Sequence, residues 1–193
     1  ITLTIGGLTL LLTQLFWFPW FSKYMKPLRI FQMGLFICAP IYFAFPWVRE
    51  IYIPPYELMS TTRKICLWTV LLTLVIIRIF AAIQAFTTSM IITNNSVTPE
   101  RLGSANGLGQ SMASGMRAAG PFLAGALWTW SQSNGLEYPF NYHFVWIMLA
   151  VLSVAAALVA LCLPKTLNSP RVAPITQPAD TTPILSSDPE QPE

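Results

Sequence analysis

The chain has 193 residues, of which 54% are apolar and 10% charged, and its mean hydropathy is +0.55. That balance excludes an ordinary water-soluble domain, and the net charge of +3 needs no nucleic-acid partner, because the basic residues sit between apolar runs where membrane topology uses them. The chain reads as a polytopic, all-α membrane protein in contact with a lipid bilayer.

Five runs are long enough to cross about 30 Å of hydrocarbon at about 1.5 Å per residue. The first, residues 1–21, ends in an aromatic cluster interrupted by Pro19, and a short basic loop with Lys23, Lys26 and Arg29 follows. The second, 30–47, holds Pro40 and Pro46, which membrane helices tolerate because neighbouring groups satisfy the freed carbonyls. The connection at 48–64 is the longest, and Pro54, Pro55 and Tyr56 predict extended chain within it. The third run, 65–93, exceeds the bilayer and is expected to tilt.

Thr98, Pro99 and Glu100 then form a helix-start signal: a capping hydroxyl, a first-position proline and an acid at the positive end of the dipole. The fourth and fifth runs are 108–130 and 142–163. Residues 164–193 are rich in proline, hydroxyls and acid, too polar to offset their conformational entropy, and predict a disordered tail. Thr181, Thr182, Ser186 and Ser187 offer phosphorylation sites there, against the simpler reading of a plain solvated tail.

All seven tryptophans fall near the ends of these runs, the headgroup level that their amphipathic rings prefer. Lys23, Lys26, Arg29, Arg101, Lys165 and Arg171 lie on one side, against Arg49, Arg63 and Lys64 on the other. The first side is therefore expected in the cytosol, tail included; plasma and vacuolar membranes are not distinguished. The chain begins at Ile1 without the basic stretch of a signal peptide and has an odd number of spans, so it reads as part of something larger.

Two arginines fall at membrane depth, where a charge is costly enough to make function the first hypothesis. Arg117 lies in the fourth run, and at about 100° per residue Asn106, Gln110 and Ser114 share its side of the helix within about 80°. Gly107, Ser111, Gly115 and Ala119 recur every fourth residue on a different face, the spacing at which small residues let membrane helices touch. The expectation is a helix packed on its small face that lines a transport pathway with its polar one. The competing reading has Arg117 bonded to carbonyls or to a carboxylate of a neighbouring helix. Arg78, in the third run about 15 Å from the interface, must likewise face protein or water, with Ala81, Ala82, Ala85 and Ser89 near its side and Gln84 roughly 120° away.

No Asp or Glu lies in any of the five runs, so a proton relay would need an acid from elsewhere. His143, the single histidine, reads as a bystander at the outer end of the fifth. Cys38, Cys66 and Cys162 are too scattered for a metal or disulfide framework. No catalytic constellation, cofactor motif or metal-ligand cluster is legible, and the chain does not read as an enzyme.

The segment ITNNSVTPERLGSANGLGQS at 92–111, followed by RAAGP at 117–121, resembles the entry to the eleventh helix of major facilitator superfamily transporters. The likeness is to the fungal and plant zinc-induced facilitator-like branch of the drug:proton antiporters. PWFSKYMKPLRIFQ resembles that family's basic loop between helices eight and nine, without its usual acid and second-position glycine. Gly115, Gly120, Pro121 and Gly125 resemble a decayed antiporter glycine-proline motif, and Arg78 matches a repeat-related arginine. The resemblance implies about the last five of twelve helices and secondary active transport of a small solute by alternating access, with proton-coupled antiport as one mode. It implies a partner in the remaining amino-terminal helices, and it leaves the substrate unspecified. The second reading is a truncated or scaffolding membrane protein that moves nothing itself.

Overall fold

Backbone amides in hydrocarbon must be satisfied within their own segment, and each apolar run does so as helix. A computed structural model of the chain describes residues 2–52 and 54–171. Helix α1 (Thr2–Leu12) passes through a π turn (Thr13–Trp17) into α2 (Phe18–Tyr24). Pro19 has no N–H to give the ladder, which widens just before it, with the Phe18 amide bonding the Thr13 carbonyl. α3 (Pro27–Ala44) starts on a first-position proline and tightens into a 3-10 segment (Phe45–Ile51). α4 (Thr61–Asn95), α5 (Leu102–Ser133) and α6 (Phe144–Leu161) complete an all-α architecture with no strand among the described residues.

α3 is the centre of the bundle, packed along α4 on one side and α6 on the other, while α1 leans on α4. The α3–α4 contact is close because Gly34 carries no side chain: a Cβ there would stand 2.7 Å from the Ala81 carbonyl oxygen and 3.0 Å from the Ala85 nitrogen. Much of the buried surface is small, including Cys38, Ala39, Ala81, Ala85, Ala157 and Ala160. Large apolar side chains such as Leu8, Phe122 and Val159 point outward. This arrangement suits a bundle whose solvent is lipid, where close packing replaces the hydrophobic effect between helices.

The connections alternate between two ends. At one, the Asn95 amide donates to the Leu167 carbonyl at 2.8 Å, and Asn168 Oδ1 accepts from the Leu28 amide at 3.1 Å. At the other, the Tyr142 hydroxyl donates to Glu50 at 3.1 Å. The two sets of basic residues counted from the sequence therefore lie at opposite ends.

Among the described residues, four segments are long and apolar enough to cross a membrane: 3–24, 27–51, 61–95 and 144–161. α4, at 35 residues, extends about 52 Å and is longer than the bilayer core. α5 is the exception. Its 32 residues have ample length, but glycines, serines and the Arg117 stripe dilute its hydropathy. It also starts earlier than the apolar run at 108–130, because helix continues through residues that hydropathy excludes.

The chain after 164 departs from a tail disordered throughout: Lys165–Asn168 form a 3-10 turn. Asn168 and the Leu167 carbonyl give it partners on the ends of α3 and α4, which supply the order that composition alone did not predict. Thr181, Thr182, Ser186 and Ser187 lie outside the described residues.

Candidate functional site

α5 has one half-buried edge, formed by Leu102, Ala105, Asn106, Gln110, Ala113, Gly120 and Leu127, with Ser131 buried at its end. Asn106 and Gln110 belong to this edge, and Gln110 Nε2 lies 3.5 Å from Met90 Sδ of α4. Ser114 and Arg117 are exposed. The Arg117 guanidinium stands 5.3 Å from the centre of the Phe86 ring, also on α4. A cation over an aromatic face gains roughly 0.5–2 kcal/mol, which orients the group without neutralising it.

The polar stripe thus follows the α4–α5 seam and opens outward at Ser114 and Arg117. Gly107, Ser111, Gly115 and Ala119 are all exposed, and a Cβ on Gly107 or Gly115 would meet nothing within 4 Å among the described residues. The close helix approach involves Gly34 of α3 with Ala81 and Ala85 of α4 instead. The spacing of Gly34 with Cys38, facing Ala81 with Ala85, is the same four-residue rule, and it was the signal available in the sequence for this contact.

Arg78 is exposed and points to a different neighbour, with its guanidinium 5.6 Å from the Tyr42 ring of α3. The two arginines therefore do not share an aromatic partner. Gln84, six residues along α4, is only 4% exposed, and among the described residues neither side-chain polar atom has a hydrogen-bond partner. An unsatisfied buried amide costs on the order of 1–3 kcal/mol, so this position is one that sequence reading undervalued.

At the far end, His143 packs into an aromatic cluster. It is buried among the rings of Trp47, Tyr138 and Tyr142, with centroids at 5.3, 5.3 and 4.1 Å. Its Nδ1 lies 2.7 Å from Asn141 Oδ1, which also accepts the His143 backbone amide, so Nδ1 carries the proton of the neutral ring. Nε2 is buried without a partner. Desolvation lowers the His143 pKa, with Glu50 opposing and Arg49 reinforcing the shift. Arg49 covers the Tyr142 ring at 4.3 Å, so the cluster joins the segment after α3 to the segment before α6.

Comparison with known proteins bears on this arrangement. The chain is 25% identical over 158 residues to Protein Zinc Induced Facilitator 1 of Arabidopsis thaliana, covering 81% of this chain and 30% of that protein. It is 26% identical over 144 residues to the major facilitator superfamily multidrug transporter mfsB of Aspergillus fumigatus, covering 75% of this chain and 22% of the relative. The chain resembles part of a major facilitator superfamily transporter. It spans less than a third of the length of either relative. No family model and no solved structure matches. The major facilitator likeness, the helical fold and the apolar helices together describe an integral membrane protein.

Proposed function

We propose that this chain is the carboxy-terminal part of a major facilitator superfamily transporter, and that α5 lines its solute pathway. The observation that carries the reading is α5 itself. A helix of spanning length, beside α4 and α6, exposes Arg117 and Ser114 while α3, α4 and α6 form a compact, largely apolar bundle. In hydrocarbon such a stripe is unfavourable; against a water-filled cavity it is not. The likeness to two transporters supplies a reason for a cavity at that place.

In this reading the small-residue face of α5 meets helices upstream of this chain, and the bundle rocks as one body against the amino-terminal half. Arg117, held by Phe86 but unneutralised, attracts an anionic group of the solute or a carboxylate of that half. Asn106, Gln110 and Ser114 supply neutral hydrogen-bonding groups along the same seam. Arg78 is a second positive group reached from the α3–α4 side. Proton-coupled antiport fits an arrangement in which the titratable acid lies outside these five runs. The relative named as a multidrug transporter makes small organic solutes the first class to screen.

The test is flux in proteoliposomes containing the full-length protein, across an imposed pH gradient, with a panel of organic anions and cations. Gradient-dependent uptake that is lost in Arg117→Ala supports the reading. A correctly inserted protein that moves no member of the panel in either direction, with or without the gradient, favours the scaffolding alternative.

A further inference from the structure

Lys26, Arg29 and Lys165 lie far apart in the chain and entered the sequence reading only as topology markers. The fold brings them to the same place. Lys26 ends the turn between α2 and α3, Arg29 is in the first turn of α3, and Lys165 opens the turn after α6. All three line one cavity of about 430 Å³ at the basic end of the bundle, and among the described residues no acid is in its lining.

The two side-chain amides of this cavity are already committed to the protein. Gln32 Nε2 donates to the Ala160 carbonyl at 2.9 Å, and the Asn168 side-chain amide donates to the Lys165 carbonyl at 3.0 Å while its oxygen caps Leu28. These bonds fix the walls relative to one another and leave the cations to set the charge. The positive end of the 18-residue α3 helix opens at the same place and adds to the potential.

A second cavity of about 310 Å³ continues from the first along α3, sharing Met25, Arg29, Gln32 and Leu161 with it. Its further walls are Met33, Phe36 and Ile37, all apolar and all within the span 27–51. A basic chamber at the membrane edge thus joins an apolar groove that descends into the hydrocarbon.

We propose that this paired cavity is a binding site for an anionic phospholipid. The phosphate and acidic headgroup sit among Lys26, Arg29 and Lys165, and an acyl chain lies along Met33, Phe36 and Ile37. Inorganic phosphate satisfies only the basic chamber, whereas a lipid fills both parts, and the lipid is present at this depth in any membrane the protein occupies. The site does not depend on the transport reading.

The experiment is native mass spectrometry of the full-length protein purified from detergent micelles supplied with equal phosphatidylserine and phosphatidylcholine. The wild type is expected to retain phosphatidylserine preferentially. A basic residue near the headgroups contributes on the order of fivefold in affinity, so the triple variant Lys26→Gln, Arg29→Gln, Lys165→Gln is expected to lose the preference at least tenfold. Lys165→Gln alone, an exposed residue outside the spanning helices, should reduce it roughly fivefold without unfolding the bundle. Lys26→Arg with Lys165→Arg should retain it. Equal retention of both lipids by the wild type, or an unchanged preference in a folded triple variant, overturns the proposal. Displacement of the lipid by millimolar inorganic phosphate overturns it in favour of a free-anion site. Phosphatidylserine retained only after deletion of residues 172–193 overturns it in favour of the chain's own acidic tail.

Discussion

Gly34 of α3 meets Ala81 of α4 backbone to backbone, with room for no atom between them: a Cβ on Gly34 would stand 2.7 Å from the Ala81 carbonyl oxygen. Neither helix can move away without loosening the contact on which the centre of the bundle is built. Gly34→Ala is therefore expected to destabilise the protein by about 1–3 kcal/mol, the usual effect of overfilling a packed site. A lowered melting temperature in detergent checks this, and an unchanged one would show that the helices separate freely.

Gly115→Leu offers the contrasting case. Nothing among the described residues lies within 4 Å of a Cβ there, so α3, α4 and α6 should assemble normally around the substitution. Its expected effect is on the fit between this bundle and helices outside the chain, seen as reduced flux or weakened assembly of the full-length protein. Wild-type flux from Gly115→Leu would mean that this face of α5 looks onto lipid.

Arg117→Ala is expected to remove at least nine-tenths of transport, on the order of 1.4 kcal/mol or more at the rate-limiting step, while insertion and expression stay near normal. Arg117→Lys keeps the charge but loses the planar fork, and should recover only part of the activity. A protein that aggregates in detergent after either substitution would instead make the arginine a structural lock between α5 and α4.

Gln84→Leu should raise stability, since both orphaned amide atoms are removed from a buried site. The gain is on the order of 1 kcal/mol, within the range for an unsatisfied buried group. If the same variant also loses flux, Gln84 finds its partner in another conformation of the transport cycle. A fall in melting temperature would refute the orphan assignment itself.

His143 gives the cluster at the opposite end a pH dependence whose direction follows from its lowered pKa. The unfolded ring protonates near its ordinary value of 6.5, whereas the folded ring resists the proton to lower pH. The stabilisation is therefore complete above about 6.5, declines as pH falls below it, and is gone below the folded pKa. His143→Phe should flatten that limb of the melting-temperature profile, and an equally steep decline in the variant would assign the acid sensitivity to Glu50 or another group.

The helices were legible from the sequence because hydropathy and length constrain a membrane segment more tightly than a soluble one. α6, apolar on every side, needed nothing else. α5 was less legible: its start at Leu102 lies in polar residues, where the helix continues directly from the 3-10 turn Pro99–Arg101 with no side-chain cap. The Glu100 carboxyl pKa is lowered, chiefly by the nearby Thr98 hydroxyl, whereas Thr98 itself makes no side-chain cap. The Arg117 stripe was visible as a period, but its neighbour Phe86 is on another helix, and no pattern within α5 points to it. The Gly34 contact was obscured for the same reason, since one small residue means little until the alanines opposite are known. His143 looked idle because its three aromatic neighbours come from two separate connections.

The turn at Lys165–Asn168 sits where the chain leaves the membrane, and it holds two helices by their ends: Asn168 caps the first turn of α3, and the Leu167 carbonyl receives Asn95 from the last turn of α4. The exit of the chain thus belongs to three helices at once: it continues α6 covalently and is hydrogen-bonded to the ends of α3 and α4.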